Sequence, residues 1–175
     1  MVRRVRIYPD PILREVAAPV DRLDDRVRAL ARDLIDTMLA NEGLGLSSNQ
    51  IGELLRVIAV YKGEFTGKED ETQILINPEV IYYEGEEVDE EGCLSFPGLY
   101  FDVRRPYLAV VKALELREDD LVPVEITATG LYARVLQHEI DHINGILYID
   151  YLEPKTRAKK LREWKESLKK QRLST

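Results

Sequence analysis

Cysteine occurs once in this 175-residue chain, at Cys93, histidine twice and tryptophan once. A single cysteine excludes an internal disulfide. No apolar run approaches the roughly 18 residues that a membrane span requires, so no membrane association is expected. The opening Met1-Val2-Arg3-Arg4-Val5-Arg6 has no apolar stretch of the signal-peptide kind. A cytoplasmic setting is therefore expected, and its reducing conditions would keep Cys93 available as a thiolate. No repeat or low-complexity block is present. The length suits one domain, large enough to bury a core without disulfides.

The net charge of -7 is unevenly spread. Pro154 to Thr175 carries nine Lys or Arg residues and two Glu, a balance of +7 that leaves -14 on residues 1–153. Leu161, Trp164 and Leu168 recur at three- and four-residue spacing, the mark of an amphipathic helix. The expected division is a body of residues 1–153 and a basic helix of residues 154–175 packed on it. Two readings of the basic face are open: it is simply solvated, or it docks on an anionic partner. No direct binding to DNA is expected.

Both histidines fall in the run His138-Glu139-Ile140-Asp141-His142. Four residues apart on a helix they share a face, with Cβ atoms roughly 5–6 Å apart, so their rings can converge on one cation. Tyr132 to Asn144 reads as that helix, with Gly130 before it, Leu136 and Ile140 one turn apart, and Gly145 placed to cap its end. Glu139 is turned about 100° from the first histidine, where a carboxylate outside the ligand set can reach water held by the metal. The alternative is an accidental pattern on a surface helix.

A catalytic site of the zinc kind needs three protein ligands and an open position. In the metzincin pattern a third histidine would occupy position 148, which is Tyr148 here. The third ligand is then a cysteine or a carboxylate. Cys93 is the only thiolate available, although a lone cysteine commonly serves as a small buried hydrophobe. Gly43-Leu44-Gly45-Leu46-Ser47-Ser48-Asn49-Gln50 lacks the Gly-Lys-Ser/Thr of a phosphate loop. Its glycines and the Gln50 amide fit instead the holding of a peptide and an oxyanion, with a plain helix-to-strand turn as the alternative.

Taken in order, Gly43 to Gln50, Glu91-Gly92-Cys93-Leu94-Ser95 and Gln137 to His142 resemble the three motifs of the peptide deformylases. The likeness extends to Tyr8-Pro9-Asp10-Pro11-Ile12-Leu13-Arg14 and to Gly145 through Pro154. The resemblance implies that Cys93, His138 and His142 hold one divalent metal with water in the fourth place, and that Glu139 is the general acid/base. It implies oxyanion donors in the Gln50 amide and the Leu94 N–H, and a main-chain contact for substrate at Gly45. Leu44, Glu91, Leu131, Arg134, Val135 and His138 should lie near the pocket for the first side chain, normally methionine. The implied native metal is ferrous iron (Fe2+), with zinc (Zn2+) or nickel (Ni2+) acceptable to the same donors. The implied substrates are nascent formyl-methionyl polypeptides, losing formate, and the implied anionic partner of the tail is the ribosome. Ser47 and Ser48 depart from the family's usual two alanines. Asn49 and Tyr100 are departures too.

Elsewhere, Val27, Leu30, Ala31, Leu34, Ile35, Met38 and Leu39 predict a first helix after Asp24-Asp25. Arg56–Tyr61, Gln73–Tyr83, Tyr107–Leu116 and Val122–Thr127 read as strands, with Asp119-Asp120 as a turn. Gly63–Glu71 reads as a polar loop and Glu84–Glu91 as an acidic approach to the cysteine. The expected fold class is α+β, mainly antiparallel sheet around a central HExxH helix, with a C-terminal helix. Two rival functions are a zinc endopeptidase with a downstream carboxylate such as Glu153 as third ligand, and a binding protein whose metal site Glu91 closes.

Overall fold

The computed structural model describes residues 1–174; Thr175, the last residue of the expected tail, lies outside them. Helix α1 (Asp25–Ala40) begins where the Asp24 side chain accepts the Val27 N–H at 3.0 Å. That bond satisfies one of the donors a helix start leaves unpaired. Strands β1 (Gly45–Ser47) and β2 (Val57–Tyr61), a short helix α2 (Gly63–Thr66) and the long strand β3 (Thr72–Glu84) follow. Next come β4 (Glu87–Glu91), β5 (Phe101–Arg105), β6 (Leu108–Arg117) and β7 (Asp120–Thr129). Helix α3 (Gly130–Ile143) and helix α4 (Pro154–Ser174) complete the chain.

Five strands form an antiparallel sheet in the order β1-β2-β3-β6-β7, and β4 pairs with β5 apart from it. Alternation of side chains along a strand divides the core. Val57 and Ala59, with their partners Ile76 and Ile74, pack with α1 residues such as Leu30 and Leu34. Ile58 and Val60, with Leu75, pack with Leu136, Ile140 and Ile143 of α3. The sheet thus carries a helix on each face, and the HExxH helix is held by its apolar stripe.

Helix α3 ends as a Schellman turn. The Gly145 N–H donates to the His142 carbonyl at 3.0 Å and the Ile146 N–H to the Asp141 carbonyl at 2.9 Å. Gly145 has φ 74, a region that a side chain disfavours, and a Cβ there would lie 2.5 Å from the Arg14 carbonyl oxygen.

A third cluster is aromatic. Phe96 stacks on Tyr8, with ring centroids 4.9 Å apart, and meets Tyr148 and Trp164 at 5.2 and 5.3 Å. Trp164 is buried with half-buried Leu161 and Leu168 beside it, and its Nε1–H donates to the Pro97 carbonyl at 2.9 Å. The apolar stripe of α4 therefore props the loop that carries Cys93. One cation of the tail also turns inward: the Arg157 guanidinium donates to the carbonyls of Ile149 and Leu152, each at 3.1 Å.

The structure amends several sequence-based expectations. Glu84–Glu91 contains β4, whose exposed acidic residues leave Val88 as the only aliphatic signal. β5 was unexpected because its inward positions are Phe101, Val103 and an arginine, Arg105. Part of the glycine-rich segment is the edge strand β1, and α2 occupies the start of the expected polar loop. The β6–β7 turn falls on Glu118-Asp119, one residue early, because Arg117 pairs with Asp120 and Glu118 adopts φ 56. Trp164→Ala should destabilise the protein by about 3–5 kcal/mol. Its thermal midpoint, followed by calorimetry, should fall by roughly 10 °C; an unchanged midpoint would mean that α4 adds nothing to the cooperative unit.

Candidate metal centre

Helical spacing, one strand end and the cysteine loop bring three donors together. The Nε2 atoms of His138 and His142 lie 3.3 Å apart, and the Cys93 Sγ lies 3.3 Å from His142 Nε2. All three donor atoms fall within 4.8 Å of one another, and Glu153 is not among them. Tetrahedral coordination at about 2.0–2.3 Å sets neighbouring donors roughly 3.3–3.6 Å apart, which the two separations from His142 Nε2 match, so the donor types and these distances suit a four-coordinate ion. Lone pairs directed at one point repel unless positive charge lies between them, which is the chemical reason such a set suits a cation.

Each donor is held from behind. His138 Nδ1 faces the Glu91 carboxylate at 2.8 Å, which makes Nδ1 the protonated nitrogen and leaves the Nε2 lone pair for the centre. Glu91 cannot also close the coordination sphere, because its oxygens are taken by His138, by both ends of Arg105 and by Arg134 at 2.7 Å. Burial would raise the Glu91 pKa, but hydrogen bonds from His138 and Arg105 hold it well below the carboxylate range. Burial also opposes charge on His138; its contacts with Cys93 and Glu91 outweigh that and raise it. Burial pushes His142 well down, with His138 adding to the effect.

The Gln50 amide has a fixed orientation. Its Oε1 accepts the Ser47 N–H at 3.0 Å, so Nε2 points at Ser95 Oγ (3.0 Å) and Cys93 Sγ (3.5 Å). Ser47 and Ser48 are fully buried, and neither lines the groove. The Ser48 hydroxyl donates to the Leu55 carbonyl. Ser47 Oγ lies 2.6 Å from Asn49 Oδ1, and Asn49 Nδ2 donates to the His142 carbonyl at 2.5 Å. Both hydroxyls are therefore spent on internal bonds.

A cavity of about 750 Å³ opens over this centre. It is lined by Leu44, Gly45, Gln50, Glu91, Cys93, Leu94, Leu131, Arg134, Val135, His138 and Glu139, that is, by every expected site residue except the fully buried His142. Burial pushes Glu139 up to about 7, and its Oε1 has no hydrogen-bond partner among the described residues. Gly45 passes so close that a Cβ would lie 2.7 Å from Glu139 Oε2. Tyr100 stands 62% exposed at the rim, its ring over Gly92, where a Cβ would fall 2.3 Å from Cε1.

Two contributors escaped sequence reasoning. The N-terminal residues Val2 to Val5 and Ile7 line the cavity, and this segment bonds to both motif loops: the Arg6 N–H to the Gln50 carbonyl at 2.7 Å and the Tyr8 N–H to the Ser95 carbonyl at 3.0 Å. Nothing in the composition of that segment marks it. Arg105 is the other, 2% exposed and bonded to Asp141 at 2.9 Å as well as to Glu91. Its one signal is the alternation of Phe101, Val103 and Arg105.

The polypeptide deformylase family model matches residues 2–158. The chain belongs to that family. It is 45% identical over 150 residues to the peptide deformylase of Dictyoglomus thermophilum, covering 86% of this chain and 92% of that one. With the enzyme of Alkalilimnicola ehrlichii it shares 44% identity over 167 residues, 95% and 90% of the two chains. The crystal structure of a peptide deformylase from Legionella pneumophila superposes with a TM-score of 0.87 at 39% identity, covering 98% of both chains. The mixed helix and antiparallel-sheet architecture is that of the deformylases. Gly45→Ala should displace the Glu139 carboxylate and lower deformylase turnover about 10²-fold, the scale of a displacement of about 1 Å in a catalytic site. Metal content should stay as in the wild type; full turnover in that variant would show that Glu139 tolerates the shift.

Proposed function

We propose that this chain is a metal-dependent hydrolase that removes the formyl group from the terminal methionine of newly made polypeptides, giving formate and a free amine. The observation that carries this reading is the convergence of one thiolate and two imidazoles beside Glu139 and the Gln50 amide, on the wall of a peptide-sized cavity. Cys93, His138 and His142 would hold one divalent ion. When bound, such an ion supplies Lewis acidity and makes a nucleophile available from water near neutral pH. Iron is the native ion in this reading, with zinc or nickel taken by the same donors.

The chain's own groups do the rest. Glu139 accepts the proton of the attacking water and delivers it to the departing nitrogen, so one carboxyl serves as base and then as acid. The Gln50 Nε2–H and the Leu94 N–H donate to the oxygen that gains charge in the tetrahedral state. Gly45 binds the substrate backbone, and Leu44, Leu131 and Val135 form the apolar wall for the methionine side chain. Glu91 and Arg134 act from beneath that wall, since their charges are consumed by each other, by Arg105 and by His138. The enzyme works in the cytoplasm on chains leaving the ribosome, which the exposed cations of α4 contact electrostatically.

Formate release from formyl-Met peptides, measured on protein loaded with iron, zinc or nickel, tests the reading. Glu139→Ala should keep its metal and lose about 10³-fold in turnover; normal deformylation by that variant would eliminate this base. Cys93→Ser should bind metal poorly, and full activity would remove Cys93 from the ligand set. Replacing the exposed Lys159, Arg162, Lys165 and Lys169 by glutamate should abolish low-salt co-sedimentation with ribosomes while formate release stays unchanged; undiminished co-sedimentation would refute the tail's role.

A further inference from the structure

His138 and His142 are oriented differently. The first has its Nδ1 against Glu91, whereas the buried Nδ1 of His142 has no hydrogen-bond partner among the described residues. A ligand ring that lacks such a partner takes its orientation from its backbone and its packing. The His142 backbone is held by Asn49, whose Nδ2 donates to the His142 carbonyl at 2.5 Å. That bond turns Asn49 Oδ1 the other way, where the Ser47 hydroxyl donates to it at 2.6 Å, the shorter of that hydroxyl's two contacts, the other being Gln50 Oε1 at 3.0 Å. Ser47 in turn gives its backbone N–H to Gln50 Oε1 at 3.0 Å. Ser47, Asn49 and Gln50 are all at most 1% exposed, so water does not compete for these bonds. Ser47 and Asn49 are thus bonded to each other, and the pair spans from the Gln50 amide to the end of the ligand helix.

We propose that Ser47 and Asn49 are positioning residues, a two-bond relay that fixes His142 as a ligand in place of the ring hydrogen bond used at His138. The proposal rests on Cys93, His138 and His142 being the ligands. Neither relay residue touches substrate; each acts by restricting where the His142 imidazole can go, and so how readily the ion escapes. Loss of the Ser47 hydroxyl frees Asn49 to rotate, and loss of the Asn49 amide leaves the His142 carbonyl to the backbone bonds of the helix end alone, among them the Gly145 N–H at 3.0 Å.

The test uses full-length zinc-loaded protein and follows transfer of zinc to a chromophoric chelator. Ser47→Ala and Asn49→Ala should each release zinc about tenfold faster than wild type, the lower end of the effect of groups that hold a ligand. The double variant should be no faster than Asn49→Ala alone, because both substitutions break one relay. Ser47→Thr, which keeps the hydroxyl, should restore release to within about twofold of wild type, a rescue that a general packing defect would not show. The cobalt-substituted single variants should show a shifted visible spectrum. Release by Ser47→Ala within about twofold of wild type overturns the relay, as does a double variant whose effect is the product of the two singles. Should Asn49→Ala fail to fold, Ser47→Ala, which removes a single oxygen, decides the matter alone. Cys93→Ser in the same assay keeps the two ideas apart: wild-type retention there would sink the ligand assignment, whereas normal release in Ser47→Ala alone would sink only the relay.

Discussion

Glu91 joins the pieces of the centre through one buried carboxylate. It ends β4, two residues before Cys93, and meets Arg105 at the end of β5 and both Arg134 and His138 on α3. Arg134 and His138 are four apart, so the same helical spacing that pairs the histidines stacks an arginine beneath the first of them. Taking a carboxylate and two guanidinium groups out of water costs several kcal/mol per ion, and only close geometry with further hydrogen bonds offsets that cost. Here the offset comes from a two-pronged Arg105 contact, a bond from Arg134 and one from the His138 ring, while Arg134 also donates to the carbonyls of Val103 and Glu87 at 2.8 and 2.9 Å and its Nε has no partner among the described residues. Such a network adds little net stability, but it admits few alternative arrangements. It sets the His138 tautomer and anchors the strand that delivers Cys93, so geometry at the ion follows from a charge cluster that never touches it.

Much of this was legible in the residues. Helical period and capping signals located α1 and α3 to within two residues, because an Asp24 cap and a Gly145 stop act through local backbone chemistry that sequence displays directly. The histidine pair was legible because the chain has only two histidines, four residues apart, whereas the residues alone left the third donor open between Cys93 and a carboxylate, and the family resemblance pointed to Cys93. What stayed hidden depends on pairing at a distance. β4 has almost no apolar face, and β5 turns a charged side chain inward, so each makes sense only once Arg105 has found Glu91. The N-terminal wall of the cavity is invisible for the same reason: its bonds run to Gln50 and Ser95, more than forty residues away in sequence. Ser47 and Asn49 read as departures from a motif, and their significance emerges only when the His142 carbonyl is placed beside them.

The centre also lies where three separate packing clusters meet. His138 and His142 ride on α3, whose Leu136 and Ile140 belong to the cluster on one face of the sheet. The segment with Gln50 closes on Ile51, which belongs to the cluster under α1. Cys93 packs at the edge of the aromatic cluster with Phe96, Tyr148 and Trp164. Donors from the first and third clusters, beside an amide from the second, thus meet at one place. Because a ligand set of this kind does not exist in the unfolded chain, the free energy of binding the ion is also free energy of folding. The arrangement places the stabilising effect of the ion where the three clusters meet. It also accounts for the buried polar groups gathered in one small volume: Gln50 and Glu139 are walls of the cavity, while Asn49 and Ser95 lie behind it and are bonded to His142 and Gln50.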